Sequence, residues 1–160
     1  MMEIEGVPAF YIHSILATPN DHAKHEQSGA NRCLNRHQWD YDLLQEKLSN
    51  PESDQSVILN EIKRLIDIRG QQPCFHPNAT QFVLQLDEGL FGLWRQSLDR
   101  KQNTYCITNI WDKDNVLPLS ELNLYSGTEW HDLLTDATYT DWDEDIILKP
   151  YQTVWITNKW

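Results

Sequence analysis

The hydrophobic rhythm of the chain changes once, near residue 72. Gly6-Val7-Pro8-Ala9-Phe10-Tyr11-Ile12 is an almost wholly apolar run, which suits a strand buried on both faces of a parallel sheet. Pro8 then sits at its beginning, where a missing N–H is tolerated. A polar stretch over residues 17–38 follows, with Asn20, Asp21, His22, His25, Asn31, Arg32, Asn35 and Arg36. A loop of that length without regular structure is uncommon in a compact domain and is usually functional or mobile. Asp40 caps a short helix over Tyr41–Leu48, and Asn50-Pro51 reads as the cap and first-turn proline of a second helix. Ile58, Leu59, Ile62, Leu65 and Ile66 form the apolar stripe of that helix, which stops by Gly70 with Pro73 just beyond.

From Pro77 onward the period is two. Phe82, Leu84 and Leu86 alternate with Gln81, Val83 and Gln85, and Glu88-Gly89 turns the chain into Leu90–Gln96. Further turns at Asp99–Asn103 and Asp112–Asn115 lead into Thr104–Trp111 and Val116–Leu119. Ile146–Leu148 and Tyr151–Thr157 read as two last strands broken by Pro150, with weak edge strands around Trp130–Leu134 and Thr138–Thr140 in the ambiguous stretch 120–144. Short strands separated by Asp/Asn/Gly turns argue for an antiparallel sandwich. The expected division is therefore residues 1–72 and residues 73–160.

Composition sharpens that division. A chain of 160 residues with 40% hydrophobic and 23% charged residues is long enough for one domain or two small ones. The formal net charge of −11 argues against nucleic-acid partners and anionic membrane surfaces. No run approaches the roughly 18 apolar residues of a membrane span, and Met1–Glu5 lacks the basic and apolar regions of a secretory signal. Cys33, Cys74 and Cys106 are an odd number at wide spacing, so a reducing, cytoplasmic setting is expected rather than a disulfide framework. Of seven tryptophans, six follow residue 72, whereas four of six histidines precede it. Tryptophan is frequent at recognition surfaces, yet equally serves as the large filler of a small β core.

Candidate chemistry is sparse. Asp21, His22, His25 and His37 fit no zinc-ligand spacing, so no metal site is expected. There is no G-x-S-x-G elbow, and the three cysteines carry no local catalytic signature. Asp141, Asp143, Glu144 and Asp145 crowd one turn-like run and read as a solvated loop, not as an acid pair across a cleft. Asn78-Ala79-Thr80 matches a glycosylation sequon, which a cytoplasmic setting makes irrelevant. Asn31-Arg32-Cys33-Leu34-Asn35-Arg36-His37 stands apart. Two arginines and two asparagines in a loop after a parallel strand suit a ligand-facing rim, as at the carboxyl ends of barrel strands. An ordinary ion-paired surface loop accounts for the same composition equally well.

Gly6-Val7-Pro8-Ala9-Phe10-Tyr11, Pro19-Asn20-Asp21 and Leu34-Asn35-Arg36-His37 resemble the last barrel strand and following loop of sucrose phosphorylase-like enzymes. These belong to the α-amylase superfamily, glycoside hydrolase family 13. The likeness continues through Leu65-Ile66-Asp67-Ile68-Arg69, Pro73–Asn78 and Leu93-Trp94-Arg95, and ends at Leu148-Lys149-Pro150-Tyr151-Gln152-Thr153-Val154-Trp155-Ile156. It covers nearly the whole chain and lies nearer the branch acting on sucrose or glucosylglycerate than the hydrolytic amylases.

The resemblance implies an α+β fragment: residues 1–72 as the last strand, active-site loop and helices of a (β/α)8 barrel, then residues 73–160 as an all-β sandwich. It implies a retaining phosphorylase that turns an α-glucoside plus phosphate into glucose 1-phosphate. The nucleophilic aspartate, the acid/base glutamate and a stabilising aspartate come from earlier strands, so no catalytic residue is expected in this chain, and no cofactor. Of the family's motif only the arginine carries over. Here it is Arg36, which supports the glucose subsite and whose aspartate partner lies upstream of this chain. Asn35, His37 and Asp21 match the surrounding loop. The expected partners are the missing barrel, from the same or a separate polypeptide, the α-glucoside, and a second copy pairing through the bare strand. The alternative is a stand-alone carbohydrate-binding module in which exposed Trp111, Trp130 or Trp142 stacks on sugar.

Overall fold

The computed structural model of the chain describes residues 1–122, 124, 129–141 and 143–158. Two compact units divide it: Met1–Pro8 together with Ile68–Trp160, and Ala9–Asp67. The first is built on antiparallel sheet and the second on helices.

The helical unit opens with α1 (Ile12–Ile15) and α2 (His22–Ser28), then a 3-10 turn at Asn31–Cys33, α3 (Tyr41–Ser49) and the start of α4 (Asp54–Gly70). Each boundary has a chemical cause. The Asp21 carboxylate accepts the Lys24 N–H at 2.9 Å and starts α2, which Gly29 ends at φ +66, a left-handed turn that suits glycine. The Asp40 carboxylate accepts the Leu43 N–H at 3.0 Å and starts α3 where the sequence placed it. The second long helix begins later than Asn50-Pro51 suggests. Asn50 instead closes a local turn onto the Glu52 N–H, and the Ser53 hydroxyl takes the Ser56 N–H, so Ser53 does the capping.

Two expectations fail in this stretch. The apolar run Gly6–Ile12 is not a strand: residues 7–11 have no regular structure and α1 begins at Ile12. A parallel strand needs neighbours for its N–H and C=O groups, and none of the described strands pairs with this run. The polar stretch 17–38 is not a bare loop either, since α2 and the 3-10 turn occupy much of it.

The β unit holds a six-stranded sheet in the order β1 (Thr80–Val83), β2 (Leu90–Gln96), β3 (Asn103–Asn109), β8 (Thr153–Asn158), β5 (Trp130–Asp132) and β6 (Thr138–Tyr139). A second sheet pairs β4 (Asn115–Pro118) with β7 (Asp145–Leu148). Every pairing is antiparallel. The expected strand positions are thus met to within a few residues, including the two weak edge strands. At the Glu88-Gly89 turn, Gly89 has φ +83 and a side chain there would meet the Trp111 ring at 2.3 Å, so only glycine fits.

Alternation along β3 and β8 builds two different layers. Tyr105, Ile107, Val154 and Ile156 face one way and close a core with Leu117 of β4, Leu119, Trp130 and Leu148 of β7. The opposite face carries Arg95, Thr104, Cys106, Trp155 and Thr157, all fully or nearly fully buried. Cys74 and Phe75, from the 3-10 turn Pro73–Phe75, belong to that layer: the Cys74 thiol lies 3.0 Å from the Thr104 hydroxyl, and Phe75 packs on Trp155 with ring centroids 4.9 Å apart. Most polar groups buried there are matched, the Arg95 Nε–H being an exception. The Gln102 amide donates to Gln72 and Thr157 and accepts from the Cys74 N–H, while Thr104 donates to Thr157.

Candidate functional site

The four residues singled out in the sequence all lie in the helical unit, in two different roles. Asp21 and His37 form a clasp. His37 Nδ1 is 2.9 Å from Asp21 Oδ2, and the Asp21 N–H donates to the Leu34 carbonyl at 2.7 Å, so the two ends of the segment 21–37 are tied together. The hydrogen bond from His37, with the Lys24 N–H, holds the Asp21 carboxyl below its ordinary range. Trp39 meets the His37 ring edge-on at 5.0 Å, and its indole N–H donates to the Thr18 hydroxyl at 2.9 Å. That hydroxyl is also 3.1 Å from His13 Nδ1.

Asn35 and Arg36 are exposed and border open space instead. One hollow of about 340 Å³ is lined by Tyr11, His13, Ser14, Thr18, Asn20 and Asn35 among others. A more open one of about 570 Å³ is lined by Tyr11, Asn31, Arg32, Asn35 and Arg36. Tyr11 and Asn35 border both, and the Tyr11 hydroxyl donates to the Asn35 carbonyl at 2.8 Å. Among the described residues the Arg36 side chain has no carboxylate partner. Amides, a phenol and guanidinium donors around a hollow of this size suit a ligand rich in hydroxyl or anionic oxygen. Among the described residues no three His, Cys, Asp or Glu side chains converge as metal ligands.

Tyr11, His13 and Thr18 were missed by the sequence reading because Tyr11 was absorbed into an apolar run and His13 and Thr18 carry no motif. The tryptophans also fall out differently from a sugar-stacking surface. Trp130 is only 2% exposed. The Trp111 ring packs on Gly89 and carries the Lys113 ammonium 4.2 Å from its centroid. Trp142 lies outside the described residues.

Solved structures with this fold define the class. An α-amylase from Geobacillus thermoleovorans, complexed with acarbose, superposes on 99% of this chain with a TM-score of 0.72 at 18% identity, using 31% of its own length. An Anoxybacillus α-amylase covers 68% of the chain with a TM-score of 0.53 at 20% identity. The mixed helical and mostly antiparallel fold is therefore one found in part of the α-amylases. No family model matches the chain. Curated relatives narrow the class: a glucosylglycerate phosphorylase of Allomeiothermus silvanus is 36% identical over 156 residues, 98% of this chain and 25% of the relative. Those of Spirochaeta thermophila and Escherichia coli are 30% and 27% identical over the same share of the chain. The chain is related to glucosylglycerate phosphorylases and matches their C-terminal part. It spans about a quarter of the length of those relatives.

Proposed function

We propose that this chain is the C-terminal region of a glycoside phosphorylase that converts glucosylglycerate or a similar α-glucoside, such as sucrose, plus phosphate into glucose 1-phosphate. The observation that carries this reading is the 36% identity over 156 residues to a protein named glucosylglycerate phosphorylase. On this reading residues 1–72 supply one side of the glucose subsite, with Arg36 as the donor that meets substrate and Asn35 beside it. His37 and Asp21 hold the loop that carries them. Residues 73–160 are the sandwich that braces the barrel. The catalytic carboxylates belong to the preceding part of such an enzyme, so the chain by itself is inactive. The setting is cytoplasmic. Tyr11 and Ile12, which are 48% and 53% exposed, belong to the surface that the barrel, or failing that a second copy, covers.

The test is a chimaera in which this chain replaces the matching C-terminal quarter of the Allomeiothermus silvanus relative. It is expected to form glucose 1-phosphate from glucosylglycerate and phosphate, and to lose at least tenfold in kcat/KM on Arg36→Ala. This chain alone is expected to form none. A folded chimaera that is inactive on every α-glucoside, or that is indifferent to Arg36→Ala, overturns the reading. Calorimetric heat from malto-oligosaccharides with the chain alone would favour the sugar-binding module, which the buried Trp130 and the half-buried Trp111, packed on Gly89 with Lys113 over its ring, speak against.

A further inference from the structure

Met1–Pro8 belongs to the β unit although 59 residues of the helical unit separate it from Ile68. Its attachment is unusual in what is recognised. Arg69 donates through Nε to the Met2 carbonyl at 2.8 Å and through an Nη to the Gly6 carbonyl at 3.1 Å. Arg95, fully buried in β2, donates to the Glu3 carbonyl at 3.1 Å. The Gln81 side-chain oxygen accepts the Glu5 N–H at 2.8 Å, and the Trp155 indole N–H donates to the Glu3 carboxylate at 3.0 Å. Four of these five bonds are to main chain, and the fifth is to an acidic side chain. Met2 is the apolar anchor at 8% exposure, and Gly6 turns the segment at φ +93.

The seat has the right chemistry for such a segment. The Arg69 and Arg95 guanidiniums lie 5.6 and 5.8 Å from the centroid of the same Phe75 ring. Neither has a carboxylate within ion-pair distance among the described residues. A fully buried Arg95 and a half-buried Arg69 without paired anions are costly. The His76 and Ala79 carbonyls also accept from Arg95, and a segment offering three carbonyls and two glutamates adds to that relief. The chain leaves the β unit after Pro8 and returns at Ile68. Arg69, one residue past the return, therefore holds Gly6, two residues before the departure.

We propose that Met2–Gly6 is a docked strap, that Arg69, Arg95, Gln81 and Trp155 form a seat for a short acidic turn-forming segment, and that this chain's own strap occupies it. The strap closes the neck through which the polypeptide leaves and re-enters the β unit. The proposal is independent of the enzymatic reading.

A glutamate-specific protease acting on the full chain, read by mass spectrometry, tests it. The bonds after Glu3 and Glu5 are in the strap, and the bond after Glu52, exposed in a turn, is an internal control. In the native chain the strap bonds are expected to be cut at least tenfold more slowly than in the urea-unfolded chain, while the Glu52 bond is cut readily. Arg69→Met, which keeps an apolar stem against Phe75, and Trp155→Phe, which removes only the indole N–H and part of the ring, are each expected to speed strap cleavage severalfold. The Glu52 bond should not change. Strap bonds cut in the native chain as fast as when unfolded overturn the proposal. So does wild-type protection in a folded Arg69→Met chain. If Arg69→Met does not fold, the native-against-unfolded ratio and Trp155→Phe decide.

Discussion

The β unit and the helical unit use equally apolar sequence to opposite ends. In the β unit Tyr105, Ile107, Leu117, Leu119, Leu148, Val154 and Ile156 are all at most 1% exposed and close on one another. In Ala9–Asp67 the sole buried residue among those described is Ser56, while Val57, Ile58 and Ile66 are 52%, 39% and 45% exposed. The α4 stripe exists, but it is only partly covered: Leu59, Ile62 and Leu65 are half-buried and Ile58 and Ile66 exposed. Antiparallel strands bring residues far apart in sequence onto one face, whereas four short helices joined by turns leave much of their apolar surface in water. The lesson is that an apolar pattern specifies a face, and a core requires a second face.

The contrast is sharpest for the thiols. Cys74 and Cys106 are buried in the β unit, and Cys33 is half-buried in the helical one. Burial pushes the Cys74 thiol up to about 11 and the Cys106 thiol well above its ordinary value. A thiol reagent at pH 8 is expected to label one equivalent, Cys33, on the order of a hundredfold faster than the other two, which wait for unfolding. Two or three fast equivalents would show that the β unit is not closed. Ile107→Ala should cost the β unit about 2–5 kcal/mol in urea unfolding, since it leaves a cavity in a core with no slack. A cost below 1 kcal/mol would erase the difference between the units.

The helical unit is expected to answer mainly to its caps. The Asp21 carboxylate titrates lower in the folded chain than when unfolded, so it stabilises α2 above the ordinary aspartate value of about 4. That contribution is lost as pH falls through the lowered folded value. Helical signal of α2, followed by NMR at the Lys24 amide, should therefore weaken only below about pH 4, and Asp21→Asn should remove this dependence. An unchanged acid profile in Asp21→Asn would show that the clasp to His37 does not hold the loop. The smallest effect is expected from Val57→Ser, within about 0.5 kcal/mol by urea unfolding. A loss above 2 kcal/mol would mean that the α4 stripe is covered in solution.

Much of the β unit was legible because its signals are local. Leu90–Gln96 alternates between two turns, and Asn103–Asn109 and Thr153–Asn158 follow the same rule. Asp40 and Gly70 marked helix ends for equally local reasons, the one as a side-chain cap and the other as a residue that ends helices. Asn50-Pro51 misled because Ser53 offered a competing cap three residues on. Gly6–Ile12 misled because an apolar run records only that burial is wanted. Of the residues that line the hollows, Arg36 and Asn35 were singled out through a motif, but Tyr11, which borders both, carries none.

By itself the sequence determined the strand periodicities, most of the turns, the Asp40 cap and the relationship to glucosylglycerate phosphorylases. These depend on neighbours within a few residues or on matched order along the chain. Only the tertiary structure decided that Arg95 is buried beneath the Glu3 carbonyl 92 residues away, that His37 clasps Asp21, and that Met2–Gly6 lies with the sheet. A hydrogen bond between distant residues depends on how the backbone returns to the same place, and side-chain pattern carries no record of that path.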